Sequence, residues 1–205
     1  MQLLPKPLPR FLTKETVGLL FSIIKNKRDL AIFMLMLRSG LRVEEVANLK
    51  IHSINFERKM IIVLNGKFRK DRVVYFSQDA HDTLTDYLKI RRSSREKKVF
   101  LVQKGTYIGK PISVRGIQKR IEYYSKKTGL NVSCHCLRHT MATQLINADA
   151  MLTTVQELLG HNSIISTQRY AKISNVKVRR DYFKTINIVM EQEKINMDSG
   201  CGRIL

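Results

Sequence analysis

Between Cys134 and Tyr170 the chain reads CHCLRHTMATQLINADAMLTTVQELLGHNSIISTQRY, a short and mostly helical stretch that carries His135, Arg138, His161 and Tyr170. A phenol is a weak nucleophile at neutral pH. Attack on a phosphodiester through Tyr170 therefore needs a proton acceptor close by and cations that gather charge on the phosphate. His135, Arg138 and His161 are the residue types that supply both. Each also has a plainer reading: Arg138 as a solvated or backbone-phosphate residue, His135 as a helix-start histidine, His161 as a C-cap, Tyr170 as a core tyrosine. Their joint presence in one segment makes the chemical reading worth pursuing.

The elements that must position these residues are legible from periodicity and punctuation. Pro5, Pro7 and Pro9 space an extended lead-in, and Thr13 is an N-cap for a first helix running toward Lys25. Leu30 to Leu37 is nearly all apolar and meets Gly40, which predicts a buried helix with a glycine stop. Val43 to Leu49 predicts another short helix, so Arg42 sits at a helix junction. Lys59 to Leu64 and Arg72 to Phe76 are β-branched and aromatic runs around Asn65, Gly66, Lys67, Phe68, Arg69, Lys70 and Asp71, which predicts a hairpin with a cationic tip. Ser77 opens a helix to about Arg91, and Lys98 to Val102 reads as a short strand. Ser113 caps a helix with Val114, Ile117, Ile121 and Tyr124 on one face and Gly129 at its end; its other face is basic, as a helix lying on phosphates would be.

Leu137, Met141 and Leu145 recur every four residues, so the segment after His135 is helical and carries Arg138 about one turn on. Thr154 and Glu157 read as a capping box ahead of Leu158, Leu159 and Gly160, which leaves His161 just past a helix end. Val178, Tyr182, Ile186 and Val189 form an apolar stripe near the C-terminus. With little core left to cover, that stripe is expected to dock on another subunit.

The whole chain bounds the setting. Its 205 residues, 43% of them hydrophobic, suit one full-sized core, with residues 1–12 as linker, 13–190 as the folded domain and 191–205 as a tail. Lys and Arg number 37 against 17 acidic residues, a formal charge of +20, which favours a polyanionic partner and above all nucleic acid. No apolar run is long enough to span a bilayer and no signal-peptide core opens the chain, so a cytoplasmic location is expected. Three cysteines are too few for a disulfide framework. Cys134 and Cys136 flank His135, but no second ligand pair stands at a suitable spacing, so no metal is expected.

Four boxes, in order, now carry a specific resemblance: GLRVEEVANL, NGKFRKDRVVYF, HCLRH and LGHNSIISTQRY. Together they resemble the catalytic domain of the tyrosine recombinases, the phage integrase family, over roughly residues 12–186. The resemblance implies an α+β fold, mainly helical with a small antiparallel sheet. It implies Arg42 and Arg138 as phosphate clamps, Glu45 as the carboxylate supporting Arg42, and Lys67 as the general acid. His135, His161 and Tyr170 complete the implied catalytic set, with His139 as a supporting partner. Lys59, Arg69 and Lys70 are neighbouring alternatives for the general-acid role, with Lys67 then a phosphate anchor. The implied activity is site-specific recombination of double-stranded DNA, by integration, excision or inversion. It would run through a 3′-phosphotyrosyl link in a homo-tetramer, without cofactor. A topoisomerase would use the same chemistry. A non-catalytic DNA-binding accessory protein or integrase remnant is the alternative from another class, resting on the family's N-terminal clamp domain, which has no counterpart ahead of Met1.

Overall fold

The structure, a computed structural model, describes residues 11–64, 71–91, 95–160 and 175–200. Eight α-helices and a three-stranded antiparallel sheet are formed by these residues. The architecture is α+β and mainly helical, as expected.

Helix α1 (Lys14–Ser22) starts at Thr13, whose side chain accepts from the Thr16 N–H at 3.3 Å. Helix α2 (Lys27–Ser39) is capped by Asn26 and stopped by Gly40 in the left-handed conformation at φ 65°. Between these caps Ala31, Ile32, Phe33, Leu35, Met36 and Leu37 are all buried, so α2 is apolar on nearly every side and runs through the middle of the molecule. It packs on α4 (Gln78–Ile90) and on α6 (Cys134–Asn147). Helix α3 (Val43–Asn48) begins three residues past Gly40, with Arg42 as its extended N-cap.

The sheet has order β1 (Ile54–Asn55), β2 (Met60–Val63), β3 (Arg72–Tyr75), with Met60 opposite Tyr75 and Val63 opposite Arg72. The first strand escapes sequence periodicity because it is two residues long. Strand β2 starts at Met60 rather than Lys59 because Lys59 takes a left-handed φ of 47° in the turn that follows β1. The hairpin tip, residues 65–70, lies outside the described residues. The run expected as a strand from Lys98 to Val102 makes only single bridges, Lys50 to Lys98 and Leu101 to Pro111, among the described residues. Its backbone groups divide between two partners: Val99 N–H goes to Leu49 and Val102 N–H to Lys110.

Helix α5 (Val114–Thr128) is capped by Ser113 and ends at Gly129 with its expected apolar face inward. Its basic side is not wholly external: Arg120 Nε donates to the fully buried Asp29 at 2.6 Å and Arg120 Nη2 to the Tyr124 hydroxyl, tying α5 to α2. Helix α7 (Leu152–Leu159) has Met151 as its N-cap, not Thr154. The capping box read there does not form. Thr154 sits inside the helix and its hydroxyl donates to Asp181 at 3.2 Å.

Asp181 belongs to α8 (Asn175–Gly200). Val178, Tyr182, Ile186 and Val189 are each 3% exposed or less and pack with Tyr75, Met141, Leu145, Val155, Leu158 and Leu159 of the same chain. The stripe does not dock on another subunit here: α6, α7 and the sheet leave a second apolar cluster that it closes. Polar ties register it. Tyr182 donates its hydroxyl to the Arg38 carbonyl at 2.8 Å, and Arg38 bridges Asp79 and Glu193.

Candidate active site

Two helix ends create the site. At the end of α2, Gly40 reverses the chain so that Arg42 becomes the N-cap of α3, and Glu45 one turn on folds back to accept the Arg42 backbone N–H at 2.7 Å. At the end of α7, Gly160 takes φ 58°, and among the described residues the carbonyls of Leu158, Leu159 and Gly160 accept no further helical N–H. Three guanidiniums fill that need. Arg72 Nε donates to Leu158 at 3.0 Å, Arg138 Nη2 to Leu159, and Arg42 Nη2 to Gly160 at 3.0 Å. Cations at a helix C-terminus also oppose the negative end of its dipole.

Glu45 holds the cluster together. Its Oε1 accepts from Arg42 Nη1 at 3.0 Å and Arg72 Nη1 at 2.7 Å, while Oε2 accepts from Arg72 Nη2 at 2.8 Å besides the Arg42 backbone. Burial alone would raise the carboxyl's pKa, but the Arg72 hydrogen bonds and charge, followed by the Arg42 contacts, outweigh it and hold Glu45 below its ordinary value. It is a fixed negative charge at any physiological pH. Three guanidiniums against this one carboxylate leave the cluster net positive.

Arg138 comes from the second turn of α6 and is buried. Its Nη1 donates to the Gly40 carbonyl and its Nη2 to Leu159, so it clamps the ends of α2 and α7 to each other. Burial, then the like charges of Arg42 and Arg72, push its pKa down to about 10, with Glu45 opposing. The guanidinium remains charged at neutral pH. Among the described residues Arg42 and Arg138 each use two of their side-chain N–H groups. A guanidinium has five, so three on each remain for an anion.

His135 and His139 stand on successive turns of α6 and face each other, Nε2 to Nε2, at 2.7 Å. One ring must donate and the other accept. His139 is held below the ordinary histidine pKa by burial, then by His135 and by Arg138. Cys134, beside them, is buried with its thiol pushed up to about 12, so it is not a thiolate at neutral pH.

The structure thus gathers Arg42, Glu45 and Arg138 at one place and puts His135 and His139 on the helix that carries Arg138. Lys67, His161 and Tyr170 lie outside the described residues, although His161 directly follows Gly160 in sequence. Arg72 is the residue that sequence reasoning missed. In sequence it is the first residue of a strand, and nothing local links it to a carboxylate 27 positions earlier.

The Phage integrase family model matches residues 10–176. Tyrosine recombinase XerA of Pyrococcus horikoshii is 37% identical over 176 residues, spanning 86% of this chain and 61% of that protein. Tyrosine recombinase XerC of Lactobacillus leichmannii is 36% identical over 190 residues, spanning 86% and 63%. The chain therefore spans about three fifths of the length of these curated relatives. Among solved structures, the crystal structure of XerA recombinase aligns with a TM-score of 0.70 at 28% identity, covering 88% of this chain and 66% of that one. The integrase of mycobacterium phage Brujita also reaches 0.70, at 23% identity, which is likeness of fold alone. With the arginine boxes, the helical fold and the relatives in agreement, this chain belongs to the phage integrase family.

Proposed function

We propose that this protein is a site-specific DNA recombinase that cuts and rejoins duplex DNA through Tyr170, as a unit spanning residues 13–190 and acting in the cytoplasm. The observation that carries this reading is the net-positive cluster of Arg42, Arg72 and Arg138 around Glu45, with N–H groups to spare on Arg42 and Arg138. Guanidinium forks match the geometry of a phosphate's non-bridging oxygens and do not titrate away. Arg42 and Arg138 gather the charge that develops there as the Tyr170 oxygen attacks phosphorus. His135, backed by His139, takes the phenolic proton. His161 donates a hydrogen bond to the phosphoryl group, and Lys67 protonates the departing 5′ oxygen.

The P–O5′ bond breaks as the P–O(tyrosine) bond forms, which leaves a 3′-phosphotyrosyl link and a free 5′ hydroxyl. The reverse attack by a 5′ hydroxyl restores DNA, with no net change in phosphoester bonds and so no call for ATP. Exchange of two duplexes breaks four strands and needs four tyrosines, hence a homo-tetramer on paired sites. The named relatives are recombinases, and several of the similar solved structures hold DNA. These matches favour recombination over simple relaxation.

A suicide duplex tests this directly. Nicked just past the cleavage point, it lets the short 5′ fragment diffuse away, and a slow-migrating covalent protein–DNA band accumulates in EDTA without ATP. Tyr170→Phe removes one oxygen and should abolish the band while DNA binding persists. Arg138→Ala should reduce it about 100-fold or more. A wild-type protein that binds the duplex yet yields no band would leave a non-catalytic DNA-binding accessory protein as the better answer.

A further inference from the structure

Arg72 opens β3 opposite Val63, and its side chain is 9% exposed. Both of its Nη atoms go to Glu45 and its Nε goes to the Leu158 carbonyl, so one planar group joins the root of the hairpin, helix α3 and the end of α7. The fit is close: a Cβ added at Gly160 would lie 3.0 to 3.3 Å from the Arg72 side chain. This geometry constrains Arg42 as well. Because Arg72 engages both Glu45 oxygens, Arg42 shares Oε1 through Nη1 and turns Nη2 to the Gly160 carbonyl. Without Arg72, Glu45 would be free to take Arg42 in a two-pronged pair, the preferred geometry of arginine and carboxylate, and so draw the guanidinium off Gly160.

We propose that Arg72 is a positioning residue for strand cleavage. By occupying Glu45 and the end of α7 at once, it sets where Arg42 presents its remaining N–H groups to the phosphate, and does not itself touch DNA. The inference rests on the recombinase reading above. A buried ion pair is by itself weak evidence even for stability, so the test must separate placement of Arg42 from simple support of the fold.

The test uses the full chain on the suicide duplex, with single-turnover adduct formation, DNA affinity and thermal melting read side by side. Arg72→Lys keeps the charge but lacks the planar fork. Its melting and its affinity should stay near wild type, because affinity is spread over many phosphate contacts. Adduct formation should slow by roughly 10- to 100-fold, the scale of a small misplacement. Combining it with Arg42→Ala should slow cleavage no further than Arg42→Ala alone, since the group to be placed is gone. A duplex with a neutral methylphosphonate at the scissile position makes less use of Arg42 and should recover most of the Arg72→Lys loss.

If Arg72→Lys fails to fold, Arg72→Gln, which retains an N–H for Leu158, is judged by the same criteria. Wild-type cleavage by the variant, or losses that multiply with Arg42→Ala and persist on the methylphosphonate, would overturn the proposal. A wild-type protein without any adduct overturns the recombinase reading itself, and this one with it.

Discussion

At His139 the electrostatics of the site become a statement about stability. Burial, His135 and Arg138 hold its folded pKa below the ordinary 6.5, so the unfolded chain binds the proton more readily. The stabilisation this neutral ring contributes is complete above about 6.5 and is lost as pH falls through the lower, folded value. The melting midpoint of the wild type should therefore fall more steeply from about pH 7.5 to about pH 5 than that of His139→Gln. Parallel curves for the two proteins would remove His139 from the account. Arg138 shows the other limit. Its pKa is also depressed, but a value of about 10 leaves it charged throughout the physiological range. At this scale the sequence was informative where a box supplied neighbours. Arg42 and Glu45 lie three residues apart and meet at 3.0 Å. Arg72 meets the same carboxylate at 2.7 Å from 27 residues away, a pairing that no local rule anticipates.

Among the elements, the two left-handed glycines matter most. Gly40 and Gly160 end α2 and α7, and their turns meet: a Cβ at Gly40 would lie 3.0 Å from Leu159 Cδ2 and 3.2 Å from Met141 Sδ. Gly160→Ala adds the cost of a left-handed alanine, about 1–2 kcal/mol, and presses on Arg72. It should lower the free energy of unfolding in a urea titration by about that amount, with m unchanged. Gly18 is the contrast, inside α1 with nothing within 4 Å of the added Cβ. Gly18→Ala should gain about 0.5–1 kcal/mol. Equal effects at the two sites would deny the α7 end its special geometry. Both stops were readable as glycines after apolar runs. That they pack on each other was not, because the contact joins residues far apart in the chain.

For the whole molecule the C-terminal helix decides the outcome. Val178, Tyr182, Ile186 and Val189 each contribute about 1.5–3 kcal/mol on burial, and they close the cluster formed by Met141, Leu145, Val155 and Leu158. Truncation after Ser174 should therefore cost several kcal/mol, a loss comparable to the whole stability of a domain this size. The truncated protein should lose its sharp melting transition and bind a hydrophobic dye. A truncated chain that melts like the wild type would show that α8 adds nothing to the fold. No described helix is long and apolar enough to cross a membrane. The 37 basic residues against 17 acidic ones suit the DNA partner proposed above.

The helices other than the start of α7, the glycine stops at Gly40, Gly129 and Gly160, the Ser113 cap, the hairpin strands to within a residue or so and the family's boxes are all readable in the sequence. All of these depend on residues a few positions apart, where periodicity and backbone conformation act directly. Tertiary structure decided what depends on distance through space: that Arg72 shares Glu45 with Arg42, that Arg138 joins two helix ends, and that the last helix packs on its own chain. An apolar stripe states only that it will be buried, because hydrophobic burial has no direction. The surface that buries it exists only once α6, α7 and the sheet are in place.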